Sequence, residues 1–365
     1  LNIIQKDDIV KNGFTSDYTK LAYGKTEVQK VKKRFFGFII MSLILSLFVI
    51  PNVTSAKETE TFSTDTYTLK DAQNEVLKYL KDNKKNYKIG SEQFVNFLES
   101  ATKLDFKNYN KDLIQTYSSI YLAENEEYKF EQATKETEDT EEKPFVLSNS
   151  LLNKKIKEIR EKNEDENTEV DNEVKDLQSQ SSLEFSALSS YNRTNAKKYM
   201  TNNWDKKSNS LYGYLGGKGG DCTNYASQVV HAGGMPTNLK GYYGSHYTST
   251  TKGWFSVKEY RVQGTSTINY STSWVRVKDF YGYWVGTKKH KVYSNLTASQ
   301  VSKKVSTGDV VQVYNRNSGN WFHTVVVYDV KKGETRFSAH SNAHLYAHLP
   351  IEFKGSKYRF RVIKF

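Results

Sequence analysis

One cysteine, four prolines and three methionines in 365 residues put several classes of protein out of reach. With a single thiol, Cys222, no intramolecular disulfide can form, and the chain is not a disulfide scaffold. So few prolines exclude a proline-rich spacer or a collagen-like repeat. The longest apolar run, Phe35–Ile50, has 16 residues, short of the roughly 20 that a membrane-spanning helix needs. Acidic residues are scarce in one half only. Over Tyr191–Phe365, Lys and Arg outnumber Asp and Glu by 26 to 8, a net +18, whereas Lys57–Ser190 has 19 against 29, a net −10.

The apolar run belongs to "VKKRFFGFIIMSLILSLFVIPNVTSA", with a basic start at Lys32, Lys33 and Arg34 and small residues at Thr54 and Ala56. This is the pattern of a secretory signal peptide cleaved after Ala56. Residues 1–56 are therefore set apart, and a start at Val31 would leave residues 1–30 outside the natural product. The expected location is extracellular, with association to the cell wall, and with no stable membrane insertion once the signal is removed.

Residues 57–130 read as a helical region: "TLKDAQNEVLKYLKDN" and "EQFVNFLESATKL" carry apolar residues at helical spacing. Residues 131–190 read as a charged linker or solvated helix. From residue 191 to 365, period-two segments appear late: "GDVVQVYN", "WFHTVVVYDV", "TRFSAH" and "YRFRVIKF". The class is α+β, preceded by an acidic helical region. The opposite charges predict that the −10 segment folds back over the +18 domain and restrains its groove, or else serves as a spacer.

Cys222 stands in "GGKGGDCTNYASQVVHAGGMP". Tyr225, Ala226, Val229 and Val230 recur at helical spacing, and Gly233 and Gly234 stop the helix. Cys222 thus falls at a helix start, where unpaired N–H groups and the macrodipole favour a thiolate. The preceding glycines leave room for a substrate. A thiol nucleophile needs a base. His323, at the head of an apolar strand, is the candidate; His231 suits a helix C-terminal cap, and His246 and His290 lie in loops without a partner signal. A third residue on the next strand would fix the imidazole, with His340 preferred and Asn342 the alternative.

Together, "YNRTNAKKYM", "GGDCTNYASQVVHAGGMP", "WFHTVVVYD" and "SAHSN" resemble the bacterial putative amidase domain family, a relative of the NlpC-type cell-wall peptidases. The resemblance covers about Tyr191–Phe365. It implies a papain-like cysteine hydrolase fold in which the helix carrying the cysteine packs on an antiparallel sheet. Cys222 would be the nucleophile, His323 the base and His340 or a neighbour the third residue. Asp221, Asn224, Ser227 and Gln228 match the family core, and Gly220, Asp221 and Gln228 are the oxyanion or substrate candidates. Tyr225 stands where phenylalanine is commoner. The implied reaction is hydrolysis of amides, foremost in peptidoglycan peptides, with no cofactor.

Other chemistries fit less well. His340, His344 and His348 are spaced as on one face of a zinc-binding helix, but the segment reads as strand and no H-E-x-x-H accompanies it. The aromatic clusters "GYYGSHY" and "DFYGYW" suit core or groove better than nucleic acid, and for an exported basic chain an anionic wall polymer is the better counterpart. Acyl transfer to an amine, as in transglutaminase-like enzymes, and a non-catalytic wall-binding module are the alternatives to hydrolysis.

Overall fold

The computed structural model describes residues 62–135, 144–180, 191–206, 211–215, 221–242, 247–260, 266–340 and 343–365. The signal-peptide reading lies outside them.

Local chemistry starts the first helix. Thr68 Oγ1 accepts from Asp71 N at 3.1 Å and Asp71 Oδ2 accepts from Thr68 N at 2.8 Å, a capping box that opens α1 (Leu69–Asp82). Leu69, Ala72, Val76 and Leu80 then share its buried face. Ser91 caps α2 (Glu92–Ser100) through Phe94 N. These helices pack with α3 (Lys111–Lys135), the short α4 (Asn149–Leu152) and the start of α5 (Ile156–Gln180) around Phe94, Ile114, Tyr117, Tyr121 and Ile156.

After α6 (Arg193–Asn203) and α7 (Asp221–Ala232) comes a small sheet of β1 (Tyr247–Thr248), β2 (Ser256–Tyr260) and β3 (Ser266–Ser271). Helices α8 (Thr272–Val275) and α9 (Val277–Tyr281) run into a π-helical turn, Gly282–Thr287. The remainder is β4 (Val292–Leu296), α10 (Ala298–Val301), β5 (Val310–Asn315), β6 (Asn320–Lys331), β7 (Glu334–Ala339), β8 (His344–His348), α11 (Leu349–Glu352) and β9 (Tyr358–Ile363). These six strands form one sheet in the order β4-β9-β5-β6-β7-β8, each neighbouring pair antiparallel. Strands β5, β6, β7 and β9 coincide with the four period-two segments. The protein is α+β.

The large sheet is buried on both faces. Val310, Val326, Tyr328 and Ile363 pack toward α7 and the indoles of Trp254, Trp274 and Trp284. Val311, Val325, Val327 and Phe337 pack toward Leu349 and Phe353 on the other side. Tyr281, Tyr283 and Trp284 of "DFYGYW" are core residues.

The helical region is joined to the sheet at the turn between β5 and β6. Ser119 of α3 meets Ser318 hydroxyl to hydroxyl at 2.9 Å and accepts from Asn315 Nδ2 at 3.1 Å. Asn163 and Asn167 of α5 donate to the carbonyls of Ser318 at 2.8 Å and Gly319 at 2.7 Å. Gly319 has φ 71°, and a Cβ there would lie 2.6 Å from Arg160 O. Opposite charges meet as well: Glu127 pairs with Arg276 and with Lys278 at 3.5 Å, and Asp112 with Lys357 at 2.5 Å. Helix α5, whose sequence reads as solvated, therefore packs along its length, and Val174 joins the sheet-side core. Its buried residues include Arg160 and Asn163, which hydropathy does not register. Among the described residues no helix is long and apolar enough to cross a membrane.

Candidate active site

Helix α7 has no solvent face over its first ten residues: Asp221 to Val230 are all buried. Seven of them are polar or ionisable, and such groups are expensive to bury unless they are partnered. Asp221 Oδ1 accepts from Leu215 N and Asn224 Nδ2, each at 2.9 Å, and its Oδ2 meets His340 Nδ1 at 2.7 Å. Asn224 Oδ1 accepts from Trp274 Nε1 at 3.0 Å, and Ser227 Oγ donates to Trp274 O at 2.8 Å. Thr223 Oγ1 lies 3.0 Å from Thr324 Oγ1 of β6, and Tyr225 OH lies 2.7 Å from Ser338 Oγ of β7. These contacts fix the helix start against the sheet.

Cys222 is the second residue of α7 and is 6% exposed. Its Sγ is 3.7 Å from Thr223 Oγ1. Burial pushes the thiol up to about 12, and the charge of Glu126 from α3 adds to it; contacts with the Thr324 backbone and the Thr223 hydroxyl oppose the shift without cancelling it. The helix start alone favours a thiolate, but desolvation outweighs it here. Glu126 is itself half-buried, and desolvation lifts it to about 7, with Arg276 opposing. Its Oε1 accepts from Val277 N at 3.4 Å.

His340 follows β7 and lies over α7. Its ring stacks on Tyr225 with centroids 4.0 Å apart, and its Nε2 contacts Asn203 O at 2.7 Å. Both ring nitrogens therefore face oxygen atoms, the carboxylate of Asp221 and the carbonyl of Asn203. Asp221 and Tyr225 stand one turn apart on α7, and Cys222 lies about 100° round the helix from Asp221. A cleft of about 220 Å³ opens onto His340 between Trp204, Asp205, Lys206 and Tyr214, and Asn96 of α2 forms part of its wall.

His323 is elsewhere. On β6, Thr324 and Val326 face α7, so the alternation turns His323 to the other side, where its ring lies 5.9 Å from Phe353 and 6.2 Å from Phe322. Burial, with the neighbouring His344, pushes it down to about 3. No hydrogen bond joins it to Cys222 among the described residues. The structure thus brings Cys222, Asp221 and His340 to one helix start and leaves His323 on the opposite face.

The other sequence candidates are placed as follows. Gln228 is buried, and its Oε1 accepts from Tyr199 OH at 2.7 Å. It stands well down the helix from the thiol and contributes to packing with α6. The Asp221 carboxylate accepts at both oxygens, so it orients a histidine and is unsuited to holding an oxyanion. Gly220 and Asn342 lie outside the described residues. His231 Nδ1 contacts Met235 O at 2.8 Å beyond the helix end, and His290, read as unpartnered, contacts Lys364 O at 2.6 Å. His344 and His348 lie on strand β8, against Lys103 at 3.0 Å and Glu334 at 2.8 Å. Among the described residues no cluster of three or more His, Cys, Asp or Glu could hold a metal ion.

Three contributors escaped the sequence. The pairing of Asp221 with His340 was signalled only by the adjacency of Asp and Cys, while Glu126 and Asn96 come from helices with no motif.

Residues 190–363 match the family described as putative amidase domain. No curated protein and no solved structure matches the chain. The matched stretch contains α7, His323, His340 and the whole six-stranded sheet. The activity that this assignment carries is hydrolysis of amides. The family resemblance read from the sequence thus holds over residues 190–363.

Proposed function

We propose that the protein is a secreted cysteine amidase or peptidase of papain-like design that cleaves amide bonds in peptidoglycan peptides. The observation that carries this reading is the Asp221–His340 pair at the start of the helix that bears Cys222. In its neutral form His340 takes the thiol proton, and the thiolate bonds to the amide carbonyl carbon. Backbone N–H groups at the start of α7 face the oxyanion. The imidazolium, steadied by Asp221, returns the proton to the leaving amine, and water hydrolyses the thioester. The buried, protonated thiol supports a site in which the proton leaves as the sulfur bonds to the carbonyl carbon, so that no free thiolate accumulates.

His340 is assigned as the base in preference to His323 because it shares the α7 face and is oriented by a carboxylate. The test is digestion of purified peptidoglycan by the protein and by Cys222→Ala, with released fragments identified by mass. Peptide fragments with new amine termini that vanish in Cys222→Ala are expected. Identical fragments from both forms would remove the thiol from the mechanism.

A further inference from the structure

The basic surplus gathers around β4. From Phe280 to Gly308 the sequence has no Asp or Glu and carries Lys288, Lys289, Lys291, Lys303 and Lys304. The fold closes this stretch on itself: Lys291 Nζ lies 4.9 Å and Lys304 Nζ 5.0 Å from the centre of the Tyr293 ring. Lys288, Lys291, Lys303 and Lys304 are exposed, and among the described residues no carboxylate pairs with any of them. Asp309, the acid nearest in the chain, is fully buried and already pairs with Arg193 and Lys364. Lys291, with help from Lys304 and Lys364, pushes the hydroxyl of the half-buried Tyr293 below its usual range. Strand β4 is an edge of the large sheet, so these ammonium groups border open solvent.

We propose that the β4 edge is a binding site for a linear, base-free phosphodiester polymer of the poly(glycerol phosphate) kind found in cell envelopes. Ammonium groups on flexible stems bind phosphates as point charges and tolerate an irregular polymer. A nucleic acid strand is disfavoured because it needs aromatic platforms for its bases. Here Tyr293 already lies under two ammonium groups, and the nearby Tyr283 and Trp284 are buried. Helix α5 reaches the border of the stretch, where Gln178 O accepts from Lys289 Nζ at 2.9 Å, but the ion pairs of the acidic helices are made at Arg276, Lys278 and Lys357 and not at Lys291 or Lys304. The choice of an envelope polymer rests on the export in the proposed function, whereas the binding itself is independent of catalysis.

The test is titration of the full chain with lipid-free poly(glycerol phosphate) over roughly 0.05 to 0.3 M NaCl. Lys291→Gln/Lys304→Gln is expected to weaken binding about tenfold or more and to lower the log–log salt slope by roughly 2. The charge-matched control Lys331→Gln/Lys332→Gln, in the β6–β7 turn, is expected to change neither. Equal losses in the two double variants would mean diffuse net charge and overturn the site. So would no measurable binding at the lowest salt. Tighter, Lys291- and Lys304-dependent binding of a single-stranded oligonucleotide of equal phosphate number would overturn the choice of ligand. The readout is binding alone, so its failure leaves the role of Cys222 untouched.

Discussion

The helical region of α1 to α5 and the sheet region around α7 bury their interiors differently. The first core is built of Leu, Ile, Phe and Tyr, and the polar side chains buried beside it, such as Thr116 and Asn125, include ones with no hydrogen-bond partner among the described residues. The second carries Asp221, Thr223, Asn224, Ser227, Gln312, Thr324 and Ser338 at or below 1% exposure. Apolar burial stabilises at about 25 cal/mol per Å² regardless of detail, whereas a buried polar network holds only when its members are satisfied. The contrast separates a region that can be varied by size from one in which each side chain is tied to a named partner. It also separates support from the proposed chemistry, because Cys222 sits in the second.

Substitutions in the polar network should give the largest effects. Cys222→Ala is expected to reduce amide hydrolysis on the order of 10⁴-fold or more with unchanged circular dichroism; retained turnover would dissolve the contrast. Asp221→Asn leaves shape but removes the counter-charge of His340, and a kcat loss on the order of 10² to 10⁴-fold is expected. His323→Leu, on the far face, should retain activity while His340→Ala loses it. The reverse result would return the base to His323.

The junction between the regions comes next. Gly319→Ala forces a side chain into a left-handed backbone and against Arg160 O, at a cost of about 3 kcal/mol. Chemical denaturation read by both tryptophan fluorescence and helical dichroism should shift in both signals together. A shift in one alone would show that the two regions unfold separately.

Glu126 links the regions through charge. Burial raises it from the usual 4.5 to about 7, so between those values the folded chain keeps a proton that the unfolded chain releases. The carboxyl therefore leaves stability intact below about pH 4.5 and withdraws it as the pH rises through 7, by about 3 kcal/mol in full. Arg276, Asp279 and Glu127 face it, and the first of these moderates the loss. Glu126→Gln should flatten the dependence of Tm on pH between 5 and 8; an unchanged slope would place the titration elsewhere. The smallest effect belongs to the solvent side of α5. Lys157→Gln, which breaks an exposed pair with Glu161 at 3.8 Å, should change stability by less than about 0.5 kcal/mol in urea melts.

Much of this was legible in the sequence where a pattern had one explanation. The capping box and apolar spacing of α1, the Gly stop after α7 and the four late strands each follow from local rules. The facing of His323 did not, because β6 is apolar on both faces. His323, Val325 and Val327 alternate with Thr324, Val326 and Tyr328, and neither set is marked as outward. A bulge adds Phe322 beside His323 at the strand's start, so the register is broken just where the histidine stands. Nor could the proton affinity of Cys222 be read from its position. The helix start is local and visible, whereas the burial that opposes it and the charge of Glu126 on α3 depend on packing between elements distant in the chain. Helix α5 was hidden for a third reason: part of its buried side is asparagine and arginine, paired with carbonyls and a carboxylate.

With only 6% of Cys222 exposed, its sulfur is screened from reagents in solution, so the speed of its alkylation becomes a clock for how often the surrounding structure opens.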